Sequence, residues 1–203
     1  WRHERVELSA ALTVGAPSMP RTDPTNAGRA WSGRAALHLP SGVVLGVSGA
    51  RGSWIDRAAL DLVAADRRQS TQSLAGADVE CGRGPWLVRG EWLRSVFQVP
   101  IATGLSPVAH LSATAAFAEA RYRLRPRWQL AGRVERLAFS SVRGTLNNGQ
   151  PTSWDAPVRR VELVAGFRVR RQVEVRGGWQ HDWRDGGRVR ARGYPMLQVL
   201  VWF

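Results

Sequence analysis

A strict alternation of apolar and polar side chains recurs through much of this chain. The clearest example spans 160–169, where every second residue is apolar and most of the others are Arg or Glu. The apolar positions there are Val161, Leu163, Ala165, Phe167 and Val169. A period of two places successive side chains on opposite faces of a β-strand. The same period at 6–14, 31–39, 86–97, 118–124, 128–135 and 173–180 predicts an all-β chain whose strands have one apolar and one charged face.

The connections between these segments alternate between short and long. Short turns are predicted at 40–42, 82–85, 125–127 and 170–171, and long loops near 16–28, 52–72, 99–110, 140–158 and 184–194. Short turns at one end and longer loops at the other are typical of outer-membrane β-barrels. We predict antiparallel strands at 5–14, 30–39, 43–51, 73–81, 86–97, 112–124, 128–139, 159–169, 172–183 and 195–203, with a short helix at 56–66 as an option.

An internal repeat in the sequence favours a barrel over a propeller. The segments Trp86–Arg94, Trp128–Arg136 and Val173–His181 share one spacing of apolar residues and glycine, one hairpin apart. A propeller blade would have to fit about four short strands into each such repeat. Two strands of about ten residues, long enough to cross a bilayer at a tilt, fit the spacing better.

The charge of the chain is strongly positive and cannot be titrated away. The 203 residues contain 29 basic residues, all of them arginine, against 16 acidic ones, for a net charge of +13. An arginine stays charged at any pH near neutrality, and such a charge, taken alone, suggests small anions, anionic lipid or nucleic acid as partners. The single cysteine, Cys81, excludes an intrachain disulfide and a cysteine-based zinc site, and we expect it to face lipid.

Three segments carry a resemblance to a known family. Residues 86–94, 120–129 and 177–203 resemble the C-terminal half of bacterial porins, and the nearest group is the porin O/P (phosphate-selective) type, although this sequence has no lysine. The resemblance implies a barrel of about sixteen strands. Residues 1–203 would then form a single transmembrane β-barrel domain lacking its N-terminal part. The last strand, with Leu197, Val199, Val201 and Phe203 on one face, resembles the signature that the barrel-assembly machinery recognises.

The polar faces of the strands supply the candidate pore lining. We predict an anion path along seven arginines: Arg89, Arg121, Arg123, Arg133, Arg160, Arg168 and Arg176. Glu91, Glu119, Glu135, Glu162 and Glu174 share this face. The alternative, which the sequence leaves open, is that these arginines form cross-strand ladders with the acids and stiffen the wall.

The ends of the strands carry two further sets of candidates. Arginines expected to contact lipopolysaccharide phosphates, unless they lie in solvated loops, are Arg94, Arg136, Arg143, Arg184, Arg188, Arg190 and Arg192. Tryptophans expected in the two aromatic girdles of the membrane interfaces are Trp86, Trp92, Trp128, Trp179 and Trp183, with Trp31, Trp154 and Trp202 as further members.

The function predicted from these features is an outer-membrane porin. Small hydrophilic solutes, chiefly anions, would diffuse passively through it, with no cofactor, metal or catalysis. Outer-membrane lipid, lipopolysaccharide and the assembly machinery are the expected partners, a homotrimer is a candidate assembly, and no nucleic acid is expected. The alternatives are a barrel hydrolase using His181, Asp182, Asp185 or His110 at the rim, for which no catalytic motif is found, and a soluble nucleic-acid-binding β protein. We also expect the strands to form an open arc, with closure as a small barrel as the alternative.

Overall fold

The computed structural model describes residues 2–17, 28–55, 70–100, 108–184 and 191–202. In these ranges every regular element is a β-strand, and no helix suited to crossing a membrane occurs in them. The optional helix at 56–66 lies outside the described residues. The strands are β1 (Arg2–His3), β2 (Val6–Val14), β3 (Arg29–His38), β4 (Val43–Ser53), β5 (Thr71–Arg83), β6 (Trp86–Pro100), β7 (Val108–Arg125), β8 (Trp128–Phe139), β9 (Ser141–Asn147), β10 (Gln150–Ser153), β11 (Val158–Arg170), β12 (Val173–Arg184) and β13 (Ala191–Val201).

Eleven of these strands form one antiparallel sheet. Its order is β1-β2-β3-β4-β5-β6-β7-β8-β11-β12-β13, so each strand pairs with the strands of this sheet that precede and follow it in the chain, with β9 and β10 lying between β8 and β11 in sequence. The ten predicted strands correspond to β2–β8 and β11–β13, which confirms the all-β antiparallel prediction. Within the described residues β2 and β13 are not paired with each other, so the sheet is open, as expected for part of a barrel.

One predicted loop contains structure that the sequence analysis missed. Residues 140–158 include the hairpin β9–β10, which pairs separately from the main sheet. Asn148 and Gly149 connect its strands with φ of 50° and 76°. Positive φ at both positions is the requirement of a tight hairpin turn that Asn-Gly satisfies. The Asn-Gly pair was therefore the signal for this hairpin.

The short turn between β3 and β4 requires glycine at one position. Gly42, between β3 and β4, has a φ of +82°, and a Cβ there would lie 2.8 Å from the carbonyl oxygen of Gly82 in the neighbouring turn. Any other residue would be strained by its backbone conformation and would also push this turn away from the next.

The register aligns all the apolar faces on one side of the sheet. One continuous row of opposed residues runs from β3 to β13 through Leu37, Leu45, Val79, Gly90, Ala118, Val134, Val161, His181 and Gly193. The side chains on this face are exposed: Leu163 is 62% and Leu197 78% accessible. Among the described residues only two hydrophobic side chains, Ala30 and Ala36, are buried. No second layer covers this face there, which rules out a sandwich core between two sheets in the described part of the chain.

Candidate pore wall

The opposite face of the sheet carries the charged side chains in nearly equal numbers. The described strands of the main sheet from β2 to β13 place ten arginines there, with Arg125 and Arg170 beside bulges left aside: Arg34, Arg89, Arg121, Arg123, Arg133, Arg160, Arg168, Arg176, Arg184 and Arg192. Nine acids share the face: Glu7, Asp78, Glu80, Glu91, Glu119, Glu135, Glu162, Glu174 and Asp182. The charge surplus of the chain is therefore not on this face as a whole.

Ion pairs on this face form between strands and within them. The Arg160 Nε atom donates to the Asp182 carboxylate on β12 at 2.8 Å, and its Nη1 atom reaches Glu135 on β8 at 3.3 Å. Towards the start of the chain, the Arg34 Nη2 atom lies 2.6 Å from Asp78. The Arg121 Nε atom donates to Glu119 on its own strand at 2.5 Å. These contacts are those of the ladder that the sequence left open as an alternative to a free anion path.

Two further arginines lie within ion-pair distance of a glutamate but do not form a hydrogen bond to it through the Nε atom. The Nε atom of Arg89 is 2.7 Å from Glu80, and that of Arg133 is 2.5 Å from Glu135. Neither nitrogen has hydrogen-bond geometry towards a partner, so the attraction is that of opposite charges. Arg133 also lies over the Phe117 ring, 4.1 Å from its centroid. The aromatic face adds a cation–π contact that holds the guanidinium flat against the wall.

Glu174 is the most buried carboxylate of the wall. Its side chain is 5% accessible, and it accepts a hydrogen bond from the Arg176 Nε atom at 2.6 Å and another from the Gln129 Nε2 atom. Arg168 lies further off, at 4.0 Å. A carboxylate this sheltered needs such donors, because an unpaired buried charge is costly. Glu174 thus ties β12 to β8 across β11.

The charges are separated along the strands. In the hairpins β7–β8 and β11–β12 the polar face next to the short turns carries Arg121, Arg123, Arg168 and Arg176 against one acid, Glu174. Nearer the long loops the same four strands carry three arginines against four acids: Arg133, Arg160 and Arg184, and Glu119, Glu135, Glu162 and Asp182. Of the seven predicted pore arginines, only Arg123 forms no ion pair in the described part of the chain. In these two hairpins the excess of arginine is confined to the turn end.

A concavity of about 730 Å³ lies in the wall beside the arginine-rich end. Small residues of β8, β11 and β12 (Ala131, Gly166 and Gly178) contribute to it, and Arg121 and Arg176 lie at its sides. A Cβ on Gly166 would come within 2.8 Å of the Gln129 side chain, so glycine here makes room for Gln129 to reach Glu174. The lining offers guanidinium and amide donors together, a set that binds carboxylate, phosphate or hydroxyl groups.

Five of the tryptophans predicted to form the aromatic girdles lie on the apolar face. Trp86 and Trp128 lie on the apolar face near the short turns, and their rings contact those of Tyr122 and Phe167 in tilted geometry with centroid distances of 4.5 and 4.7 Å. Trp92, Trp179 and Trp183 lie on the same face and are 43%, 51% and 41% accessible. These positions suit two interfacial girdles, a role that stays a prediction.

Trp154 does not join the aromatic girdle as the sequence analysis expected. Its ring packs against Phe97 at 6.1 Å and Phe139 at 4.7 Å, and its Nε1 atom donates to the Ser112 carbonyl oxygen at 2.9 Å. Trp54 joins this cluster through Phe97 at 5.3 Å. Phe97 and Phe139 lie at polar-face registers of β6 and β8. The cluster therefore holds residues of two long connections against the polar face, a contact that alternation within strands could not reveal.

The structure sorts the candidates for lipopolysaccharide contact. Arg94 and Arg136 lie on the apolar face at the long-loop end. The Arg184 Nη2 atom donates to Asp155 at 2.8 Å and Arg192 lies opposite Asp182, both at polar-face registers. The placement of Arg184 therefore speaks against its predicted outward role. Arg188 and Arg190, with the side chain of Arg143, lie outside the described residues.

The remaining candidates are placed as follows. Leu197, Val199 and Val201 lie exposed on the apolar face of β13, and Phe203 is outside the described residues. Cys81 lies on the same face, opposite Val43 and Val88.

The structure does not assemble the proposed catalytic pair. His181 lies on the apolar face with its ring 4.2 Å from that of Trp183, whereas Asp182 lies on the polar face with Arg160. Neighbours on one strand point to opposite faces, so His181 and Asp182 cannot act together. His110 lies three strands away from β12, and Asp185 is outside the described residues.

Comparison with known proteins gives one informative result for the fold. No protein-family model and no curated protein sequence matches the chain. Among solved structures, the structure of a porin refined at 1.8 Å resolution superposes on 100% of this chain with a TM-score of 0.66 and 10% sequence identity. The chain has a porin-like β-barrel fold. It spans 60% of the length of that porin chain, so its open sheet corresponds to part of a barrel wall. The phosphate-selective O/P type stays a prediction.

Proposed function

We propose that this chain forms part of the wall of an outer-membrane porin through which small hydrophilic solutes diffuse passively. The observation that carries the proposal is the two-faced sheet, with exposed apolar side chains on one side and charged ones on the other. An apolar outer face suits lipid, and a polar inner face suits a water-filled lumen. The likeness of the whole chain to a porin fold supports it. No bond is made or broken: pore width and wall charge select the solute.

Anion preference, in this proposal, arises at one end of the pore. The supporting observation is the group of four arginines beside the short turns of the β7–β8 and β11–β12 hairpins, where Glu174 is the single acid among the described residues. The ion-paired stretch nearer the loops contributes little, because its charges nearly cancel over a few ångströms. Fixed charge of this kind acts over about 8 Å at physiological salt and about 3 Å at 1 M. We therefore propose a modest anion preference that shrinks as salt is raised.

The location and the partners follow from the same reasoning and are equally part of the proposal. An exposed apolar face is stable where lipid covers it, which supports a bacterial outer membrane as the proposed location. Leu197, Val199 and Val201 on the edge strand β13 are where the assembly machinery would bind. A homotrimer is the proposed assembly.

The test is conductance and ion selectivity of the full-length protein in planar bilayers. Reversal potentials in a salt gradient should show anion preference. The variant Arg123→Gln should lower it, since Arg123 forms no ion pair in the described chain and its loss strands no acid. The matched control, Glu91→Gln, removes a carboxylate that likewise forms no ion pair there and should raise it. Absence of conductance would overturn the porin proposal, and a cation-selective wild type would overturn the anion preference alone.

A further inference from the structure

Two arginines stand side by side on the apolar face near the long loops. Arg136 on β8 is directly opposite Arg159 on β11, and the row continues to Ala116 on β7 and Trp183 on β12. Directly opposed residues have Cβ atoms about 5 Å apart, and like charges at such positions destabilise a sheet. A pair of permanent positive charges in this place calls for an anion between or above them.

No carboxylate of the described chain supplies that anion. None of the ion pairs of the described residues includes Arg136 or Arg159, and Asp155, the acid of the nearby loop, is bonded to Arg184. Arg136 and Arg159 are both exposed. The residues directly opposite them on the neighbouring strands, Ala116 and Trp183, are not acidic, so within the described residues the pair differs from most arginines of the polar face in having no acid bonded to it.

The surface next to the pair has the form of a shallow groove. It encloses about 630 Å³ and is lined on this face by Ala116, Ala118, Val134, Val161 and Trp183 as well as the two arginines. The alanines of β7 make the depression because they are smaller than the valines and the tryptophan beside them. A chain of methylene groups would fit along this floor while a charged group at its upper end met the guanidinium groups.

A third arginine extends the site along the same end of the sheet. Arg94 on β6 shares the apolar face and is paired with Thr114, two residues from Ala116 along β7 towards the long loops. With neighbouring strands about 4.8 Å apart and a rise of about 3.4 Å per residue, Arg94 lies roughly 12 Å from Arg136 across β7. That separation suits an occupant with more than one anionic group.

We propose that Arg136 and Arg159, with Arg94 as an outlying member, form a binding site for the phosphate groups of lipopolysaccharide, whose acyl chain lies along the adjacent groove. The inference rests on the proposed function, in which this face contacts lipid. A guanidinium donates two parallel hydrogen bonds to phosphate oxygens, and a phosphate between two guanidinium groups would remove their repulsion. The apolar floor is what selects a lipid over free phosphate, since free phosphate would gain nothing from Val134 or Val161.

The test compares two forms of lipid A bound to the full-length protein in nonionic detergent micelles. Native mass spectrometry with phosphorylated and dephosphorylated lipid A should show about tenfold tighter binding of the phosphorylated form by the wild type. In the double variant Arg136→Gln/Arg159→Gln this preference should fall to about twofold or less. Arg136→Lys/Arg159→Lys, which keeps the charge and loses the forked geometry, should lie between the two.

The matched control is Arg29→Gln/Arg51→Gln, which removes two outward arginines at the same end of β3 and β4. These lie opposite Val14 and Trp31, away from the groove, and the control should keep the wild-type preference. Equal loss in the control would overturn the proposal in favour of diffuse charge attraction. Unchanged binding in the Arg136/Arg159 variant would also overturn it, as would displacement of the lipid by an equal concentration of inorganic phosphate.

The same samples separate this inference from the proposed function. A protein that conducts in bilayers but shows no preference for phosphorylated lipid A would defeat the lipid site and leave the porin standing. A protein that fails to enter bilayers would defeat the porin proposal. Folding of each variant is checked by its temperature-dependent mobility on detergent gels, which for a folded barrel differs from that of the unfolded chain.

Discussion

The two faces of the sheet use arginine in opposite ways. On the polar face Arg160 is held between Glu135 and Asp182, and its neighbours along the wall are likewise paired. One residue earlier in the chain, Arg159 lies on the apolar face beside Arg136 with no acid bonded to it among the described residues. The contrast teaches that composition alone says little about what an arginine does. Because successive side chains of a strand point to opposite faces, a shift of one residue along the strand decides whether an arginine lies on the polar or the apolar face.

The largest effect is expected from placing an arginine in the middle of the apolar face. Leu163→Arg should destabilise the protein in lipid vesicles by about 2 to 4 kcal/mol, because an arginine at the bilayer midplane is costly on the lipid side. Val164→Arg, one residue further on, faces the concavity of the polar wall and should cost far less. Unfolding in urea monitored by tryptophan fluorescence measures both. Equal losses would mean that lipid does not cover the apolar face.

A smaller loss is expected from breaking the most buried ion pair. Arg176→Gln leaves the Glu174 carboxylate, 5% accessible, with fewer donors and should cost about 1 to 3 kcal/mol. The double variant Glu174→Gln/Arg176→Gln removes the stranded charge and should recover part of that loss. The same urea titration gives both values. A double variant no more stable than the single one would contradict the ladder description of this wall.

A still smaller change in stability is expected from removing the repulsion between the outward arginines Arg136 and Arg159. In detergent without phosphorylated lipid, Arg136→Gln should leave stability unchanged or raise it by a few tenths of a kcal/mol, since opposed like charges destabilise a sheet by at most about 1 kcal/mol. Arg160→Gln, on the polar face, should lower stability under the same conditions. If both variants lost stability equally, the distinction between the faces would fail.

The smallest effect belongs to the loop acid Asp155. Its pKa is lowered below the usual 3.8, first by the backbone N–H of Ala156 at 2.7 Å and then by the Arg184 guanidinium. A lowered pKa means that the carboxylate stabilises the folded state above the unfolded pKa and loses this contribution as the pH falls through the folded value. Asp155→Asn should therefore be slightly less stable than wild type at neutral pH, with the difference vanishing as the pH falls through the folded-state pKa of Asp155. A difference that persisted at lower pH would contradict this assignment.

Much of the fold was accessible from the sequence because alternation is a local signal. Val161 to Val169 predicted both a strand and its outward face, and the register confirms that the apolar faces align. Pairing between strands is not local. Asp182 became the partner of Arg160 only once β11 and β12 were in register, so the sequence could not choose between ladder and free arginine.

Two features that the sequence analysis missed, the outward position of Arg159 and the β9–β10 hairpin, could have been predicted from the sequence. Arg159 precedes Val161 by two residues, so its outward position followed from the same alternation that placed Val161. It was overlooked because Arg160 beside it fitted the charged face. Asn148-Gly149 predicted a hairpin by its dipeptide alone. The inward packing of Trp154 had no such signal, because it depends on where a long connection folds back.

The order of strands in the sheet also bears on how such a wall can be built. Because every strand pairs with a chain neighbour, each added hairpin closes only a short loop, and loop-closure entropy stays small at every step. A growing sheet of this kind always has two edges, whether it holds four strands or eleven. The number of backbone groups left without partners therefore stays constant during growth. Chain extension widens the sheet without enlarging the polar backbone surface that lipid must tolerate.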